Sequence, residues 1–119
     1  MDVINLNDKL KTFSGIYDPK IVAELNGQFI KLVKFKGDFV WHSHKNEDEL
    51  FFVIKGSFFM DFRDKTVEIK EGEMIVVPKG VEHRPRAEEE VHVMLFEPSS
   101  TINTGEVVNE LTKMKLDRI

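Results

Sequence analysis

The sequence predicts an all-β chain, an antiparallel sandwich or barrel. Three observations predict it: short runs in which apolar and polar residues alternate, turn residues between those runs at near-regular spacing, and an Asn26-Gly27 pair flanked by strand-like runs. Residues 6–13 form the exception. Asn7 as N-cap, Asp8 in the first turn, and Leu10 with Phe13 on one face predict a short docking helix. Tyr17-Asp18-Pro19 is a turn, because proline pushes its predecessor out of the helical region. Residues 21–25 and 28–35 then read as a hairpin closed by Asn26-Gly27, the dipeptide favoured in type I′ turns. Lys36-Gly37-Asp38 turns the chain into a strand bearing His42 and His44, a polar loop follows at residues 45–48, and Glu49 opens a strand that ends at Lys55-Gly56.

The second half continues in the same way. Phe58, Met60 and Phe62 alternate against Ser57, Phe59 and Asp61, and a turn at Arg63-Asp64 leads to a strand over residues 66–69. Glu71-Gly72 is a turn, Met74–Val77 a short apolar strand, Pro78-Lys79-Gly80 a bend, and residues 81–84 a strand carrying His83 with Pro85 at its end. Residues 87–90 are a solvated acidic loop, and residues 91–96 return as a strand before Pro98. Beyond it, Val107, Val108, Leu111 and Met114 have weak helical periodicity, and Lys113, Lys115 and Arg118 suit a helix C-terminus. The chain divides into an N-terminal helix or arm at 1–20, a barrel core at 21–98 and a C-terminal tail at 99–119, all within one domain.

Composition narrows the function classes. At 119 residues the chain is the length of one domain, and 41% hydrophobic with 32% charged residues describes a globular protein. The net charge of −4 is mixed along the chain, without a basic stripe for a phosphate backbone, so nucleic acid is not an expected partner. No cysteine is present, which excludes disulfides, a zinc ribbon and thiol catalysis and suits a reducing cytoplasm. The first residues lack a basic stretch followed by an apolar core, and no apolar run reaches the roughly 18 residues of a membrane span. The expected location is cytoplasmic.

Chemistry concentrates between Gly37 and Gly56. In an extended segment alternate side chains share a face, so His42 and His44 project together with Val40, while Trp41 and Ser43 face away. Two imidazoles in this register can converge on one cation, and Glu49 can add a hard third ligand. The inward parity of Glu49 continues through Phe51 and Val53, lining a cavity. A fourth group must come from residues 72–83, which end in His83.

These residues resemble the two conserved motifs of the cupin superfamily. The first, G-x4/5-HxH-x3/4-E-x6-G, is matched by Gly37, His42, His44, Glu49 and Gly56; the second, G-x5-PxG-x2-H-x3-N, by Gly72, Pro78, Gly80 and His83, with Ala87 in place of the asparagine. The resemblance implies a small double-stranded β-helix, or jelly-roll barrel, with short terminal helices and one divalent transition metal held by His42, His44, Glu49 and His83. Mixed nitrogen and oxygen ligation suits manganese, iron, nickel, zinc or cobalt. It does not imply one reaction.

Other residues have plainer readings. His92 is structural or at the surface, Glu47 and Asp48 are within reach of the site but on a loop that favours solvent, and the phenylalanines are mostly core. Lys31 and Lys34 either take an anionic group at a cavity mouth or face solvent, while Arg84 follows His83 directly and points away from the metal. Residues 50–54, LFFVI, are apolar on both faces, which calls for a cover on the outer face, from the chain's own tails or from the second subunit of a homodimer. Three functions are compatible with this sequence: a metal-dependent enzyme on a small oxygen-rich metabolite such as a sugar or organic acid, a metal-free acid/base cupin with His42 or His83 as base, and a small-ligand binding module without turnover.

Overall fold

The computed structural model describes residues Met1–Ile119. It contains one short helix, α1 (Leu6–Leu10), and seven strands: β1 (Lys20–Leu25), β2 (Gln28–Asp38), β3 (Glu49–Lys55), β4 (Ser57–Phe62), β5 (Thr66–Lys70), β6 (Met74–Val77) and β7 (His83–Pro98). All ladders are antiparallel, in the order β1-β2-β7-β3-β6, with β4 pairing β7 and β5. This is the antiparallel barrel expected from the sequence, with a core that includes Val33, Phe35, Phe51, Val53, Phe58, Met60, Val91 and Val93 between the sheets.

The β1–β2 hairpin turns at Asn26-Gly27 as expected. Both residues have positive φ, 51° and 75°, as a type I′ turn demands, and Leu25 pairs with Gln28. Helix α1 is shorter than expected and its N-cap is Asn5 rather than Asn7. The Asn5 side chain accepts from the Asp8 amide at 2.9 Å. Its far end is held from below: the Lys34 Nζ donates to the carbonyls of Leu10 and Phe13 at 2.7 and 2.6 Å. Lys34 is therefore buried and fastens the helix to β2, away from the histidine-bearing cavity.

Strand β7 differs most from expectation. Pro85 does not end a strand, and residues 87–90 are not a separate loop; one strand runs from His83 to Pro98. Pro85 pairs with Met60 of β4 and lies one residue beyond the last β2–β7 pair, Asp38↔Arg86; its carbonyl accepts from Phe39 N at 2.9 Å, so its missing N–H lies on that side, where the β2–β7 ladder ends. The β2–β7 register then jumps from Gly37↔Ala87 to Phe35↔Val91, so Lys36 alone faces Glu88, Glu89 and Glu90. The acidic run is thus a wide bulge, exposed as expected, and the supposed turn at residues 36–38 is its other side, with Gly37 at φ 76°. The bulge lets β7 serve both sheets: its first residues pair β4, and Val93 to Phe96 lie between β2 and β3.

The tail forms no helix. Thr104, Asn103, Asn109 and Thr112 bond local backbone and one another, a competitor that weak periodicity cannot beat. Val108 and Met114 stay exposed, only Leu111 of the apolar set packs on the core, and the chain end pairs with β1 through Ile119 N to Ile21 O at 3.0 Å.

Asp61 is the polar brace of β4. Arg84 donates to Oδ2 at 2.9 Å, Arg86 to the same oxygen at 2.9 Å and Thr66 to Oδ1 at 2.7 Å. Burial pushes its carboxyl up, but the bonds from Arg86, Thr66 and Arg84 outweigh it and hold the pKa down at about 2. Because the folded pKa lies below the unfolded one, the stabilisation is full above pH 3.8 and lost as pH falls through about 2. Asp61→Asn should therefore cost about 1–3 kcal/mol at pH 7. Urea denaturation across pH should show the gap to the wild type closing below pH 4; a gap that persists at pH 2 contradicts the assignment.

Candidate metal centre

Backbone pairing brings the candidate ligands together. His42 and His83 form an isolated antiparallel bridge, with N–H to O=C bonds of 3.0 and 2.9 Å in the two directions. The segment carrying His42 and His44 is extended but belongs to no long strand, so this bridge and the Gly80 N to His44 O bond, 2.7 Å, position it. Glu49 opens β3 opposite Val77, the last residue of β6, which sets the Pro78 bend beside the histidines. Asp48 accepts from the Lys79 amide at 2.8 Å and closes the same corner, while Glu47 turns outward to Ser100.

The four side chains are buried, and one ligand atom from each lies within 4.8 Å of the others. The His42 Nδ1 lies 2.9 Å from Val40 O and the His83 Nδ1 2.8 Å from Val81 O. A carbonyl can only accept, so both Nδ1 atoms carry a proton; the Nε2 of His42 is left free and that of His83 faces Glu49 Oε1. This is the tautomer control typical of ligating imidazoles. Glu49 Oε1 sits 2.8 Å from His44 Nε2 and 3.2 Å from His83 Nε2, yet neither His44 nitrogen has a partner in hydrogen-bond geometry. A buried imidazole without a bond beside a carboxylate fits a cation better than a polar core. Burial, then the neighbouring His83, lowers the His42 pKa to about 4, so that ring is neutral near pH 7 and needs no proton removed before it can bind. Burial disfavours the charged form of Glu49, but the adjacent polar groups of His44, His83 and Glu97 prevail and hold its carboxyl well below the usual range. The donor set, three imidazoles and a carboxylate, suits a divalent transition metal.

The second carboxylate is new. Glu97 is 2% exposed, lines the cavity with Glu49, His42, Tyr17 and Asn103, and takes a 2.6 Å bond from Lys31 Nζ. Its Oε2 meets no protein donor. Burial first, and the Glu49 charge second, raise Glu97 well above the usual range and so favour its protonated form. Lys31, one proton and two carboxylates thus leave the chamber without excess charge. The expectation that Lys31 meets solvent or an anion at a cavity mouth fails, since Lys31 is 1% exposed and paired within. Strand parity carried the signal: Val91, Val93, Leu95 and Glu97 alternate inward, and Lys31 shares the inward parity of Val33 and Phe35.

The remaining residues divide simply. Arg84 points away from the cluster to Asp61 and over the Trp41 ring, and His92 pairs with Glu90. Lys31→Met should destabilise the fold by about 3–5 kcal/mol, since it leaves the shared anion without its cation. Glu97→Gln should cost less than about 1.5 kcal/mol, because an amide accepts from Lys31 and donates to Glu49. Equal losses for the two variants in denaturant melts would show that Glu97 is ionised instead.

Comparison with known proteins agrees with this geometry. A family model described as Cupin_2, cupin domain, matches residues 31–97. The uncharacterized protein YdbB of Bacillus subtilis is 39% identical over 67 residues, 56% of this chain and 59% of that protein, so the match spans less than two-thirds of the relative. Among solved structures, a cupin-2 domain protein from Shewanella frigidimarina is 48% identical with a TM-score of 0.80, covering 81% of this chain and 94% of that one. NMB1881 from Neisseria meningitidis is 39% identical with a TM-score of 0.76, covering 82% of this chain and 100% of that one. With the family model spanning more than half of its length and a buried three-histidine, one-glutamate cluster inside the matching barrel, this chain belongs to the Cupin_2 family.

Proposed function

We propose that this chain binds one divalent transition metal through His42, His44, Glu49 and His83 and acts as a metal-dependent enzyme on a small oxygen-rich metabolite, a sugar or organic acid. The observation that carries this reading is the convergence of four buried donor atoms within 4.8 Å, two of them on imidazoles whose other nitrogen is already bonded to a carbonyl. A bound ion supplies Lewis-acid polarisation of a carbonyl or hydroxyl oxygen. The chain's own residues do the rest: Phe35, Phe39, Phe51 and Leu95 exclude water, and Glu97 holds a proton beside Glu49 at the cavity wall. That proton also favours a second reading, acid/base chemistry without metal. Elemental analysis of untagged protein should find about one equivalent of a single ion, and His42→Ala/His44→Ala should lose it while remaining folded. Unchanged stoichiometry in that variant refutes the ligand set, and protein that refuses every ion moves the function to acid/base catalysis or ligand binding.

The chain acts as a homodimer through the outer face of the large sheet. Cross-strand neighbours there form two apolar rows, Leu32–Met94–Phe52–Met74 and Ile30–Phe96–Leu50–Val76. Met74 and Val76 are 59% and 54% exposed, and β6 has a free edge beside them. A second copy covers such a self-complementary face. A cytoplasmic setting suits a chain without cysteine, and no helix is long and apolar enough to cross a membrane. Light scattering should give twice the chain mass for the wild type and the single mass for Met74→Glu/Val76→Glu; a monomeric wild type at micromolar concentration overturns the assembly.

A further inference from the structure

The cavity beside the histidines has a volume of about 30 Å³, room for a water molecule and far below the few hundred Å³ of a typical small-molecule site. All four candidate ligands are 4% exposed or less. The cavity has no room for a metabolite beside them unless part of the wall moves.

One part of the wall is built differently from the rest. Residues 101–112 carry no regular structure and lie across the segment bearing the histidines. Asn103 lines the cavity, and Ile102, Gly105 and Glu106 border an open groove that leads to His44, Lys45 and Glu47. This segment is cross-braced within itself. Asn103 Nδ2 donates to Leu111 O at 2.8 Å and its Oδ1 accepts from Lys113 N at 2.8 Å, while Thr104, wholly buried, bonds Val107 O at 2.6 Å and Thr112 at 2.7 Å. Its polar ties to the barrel are few and long: Glu106 N to Ser43 O at 3.2 Å and, at its base, Ser100 Oγ to Glu47 Oε2 at 3.2 Å. A compact loop that holds its own shape, seated through Leu111 on the core but with few polar bonds to the scaffold, moves as a unit. Gly105 lets it seat. A Cβ there would lie 2.1 Å from Ser43 O and 3.4 Å from the His42 ring, and φ is 59°, so only glycine allows this closure.

We propose that residues 101–112 are a lid over the metal cavity, latched where Gly105 lies against Ser43, and that lid opening controls what enters. The lid rests on the metal-site reading for the identity of what passes beneath it. Opening swings a preformed loop between the base at Pro98–Ser100 and the chain end tied to β1.

Two measurements on the full chain test this. Stopped-flow uptake of Co²⁺ alone by metal-free protein, followed by visible absorption, should be at least about ten-fold faster in Gly105→Ala than in the wild type. Asn103→Ala, which loosens the brace, should also accelerate uptake, and Val108→Ala, at an exposed position, should not. Wild-type rates in both variants, with Co²⁺ bound at equilibrium, overturn the lid. Hydrogen exchange of the metal-free wild type supplies a readout that needs no metal: amides of residues 101–112 should exchange together and faster than those of β7. If Co²⁺ binds no variant, the metal reading fails and exchange alone decides the lid. Protection equal to that of β7 then refutes it.

Discussion

The burial of Glu49 and Glu97 in one chamber is the constraint around which the interior is arranged. Two carboxylates in one buried chamber repel, and each loses hydration on folding. The barrel answers by giving Glu49 two imidazoles, leaving Glu97 neutral, and closing the network with Lys31 from the neighbouring strand. The partners come from β3 (Glu49), β7 (His83 and Glu97), β2 (Lys31) and the segment bearing His44, so these elements are tied through one charge balance. A small barrel with an apolar core around this network has little freedom to lose any member.

Strand β7 is what makes that arrangement possible. By passing from β4 to the space between β2 and β3 it places His83 at one end of the cavity and Glu97 at the other. The wide bulge at Glu88 to Glu90 absorbs the change of sheet, and an acidic, exposed composition there leaves unpaired backbone to water. Pro85 falls where the β2–β7 ladder ends, so its missing N–H interrupts no strand beyond it. The same sequence features that look like chain terminators, a proline and a charge run, are in this fold the means of bending one continuous strand.

The balance of enclosure and access separates the chemistry of the cluster from its use. Burial sets the protonation of His42 and Glu97, because a ring or carboxyl in contact with bulk water would titrate near its ordinary value. A chamber closed that tightly admits ligands only through its least integrated wall. In this chain that wall is the C-terminal loop, made of hydroxyl and amide side chains that bond one another in preference to the barrel.

Local patterns made most of the strands legible. Asn26-Gly27 specified the hairpin because both residues accept positive φ, and the Glu49-Phe51-Val53 and Phe58-Met60 alternations specified which faces point inward. The spacing of His42, His44, Glu49 and His83 marked a cluster that the barrel does assemble. What periodicity could not weigh were local competitors: the Asn5 cap that starts α1 early, the Thr and Asn bonds that replace a C-terminal helix, and the bulge that joins two apparent strands. By itself the sequence determined strand parity, turns and the four convergent ligand types, since these follow from φ preferences and a period of two. Only the tertiary structure decided that Glu97 and Lys31 join the site and that residues 101–112 cover it, because those contacts join groups many residues apart, which meet only after the barrel has closed.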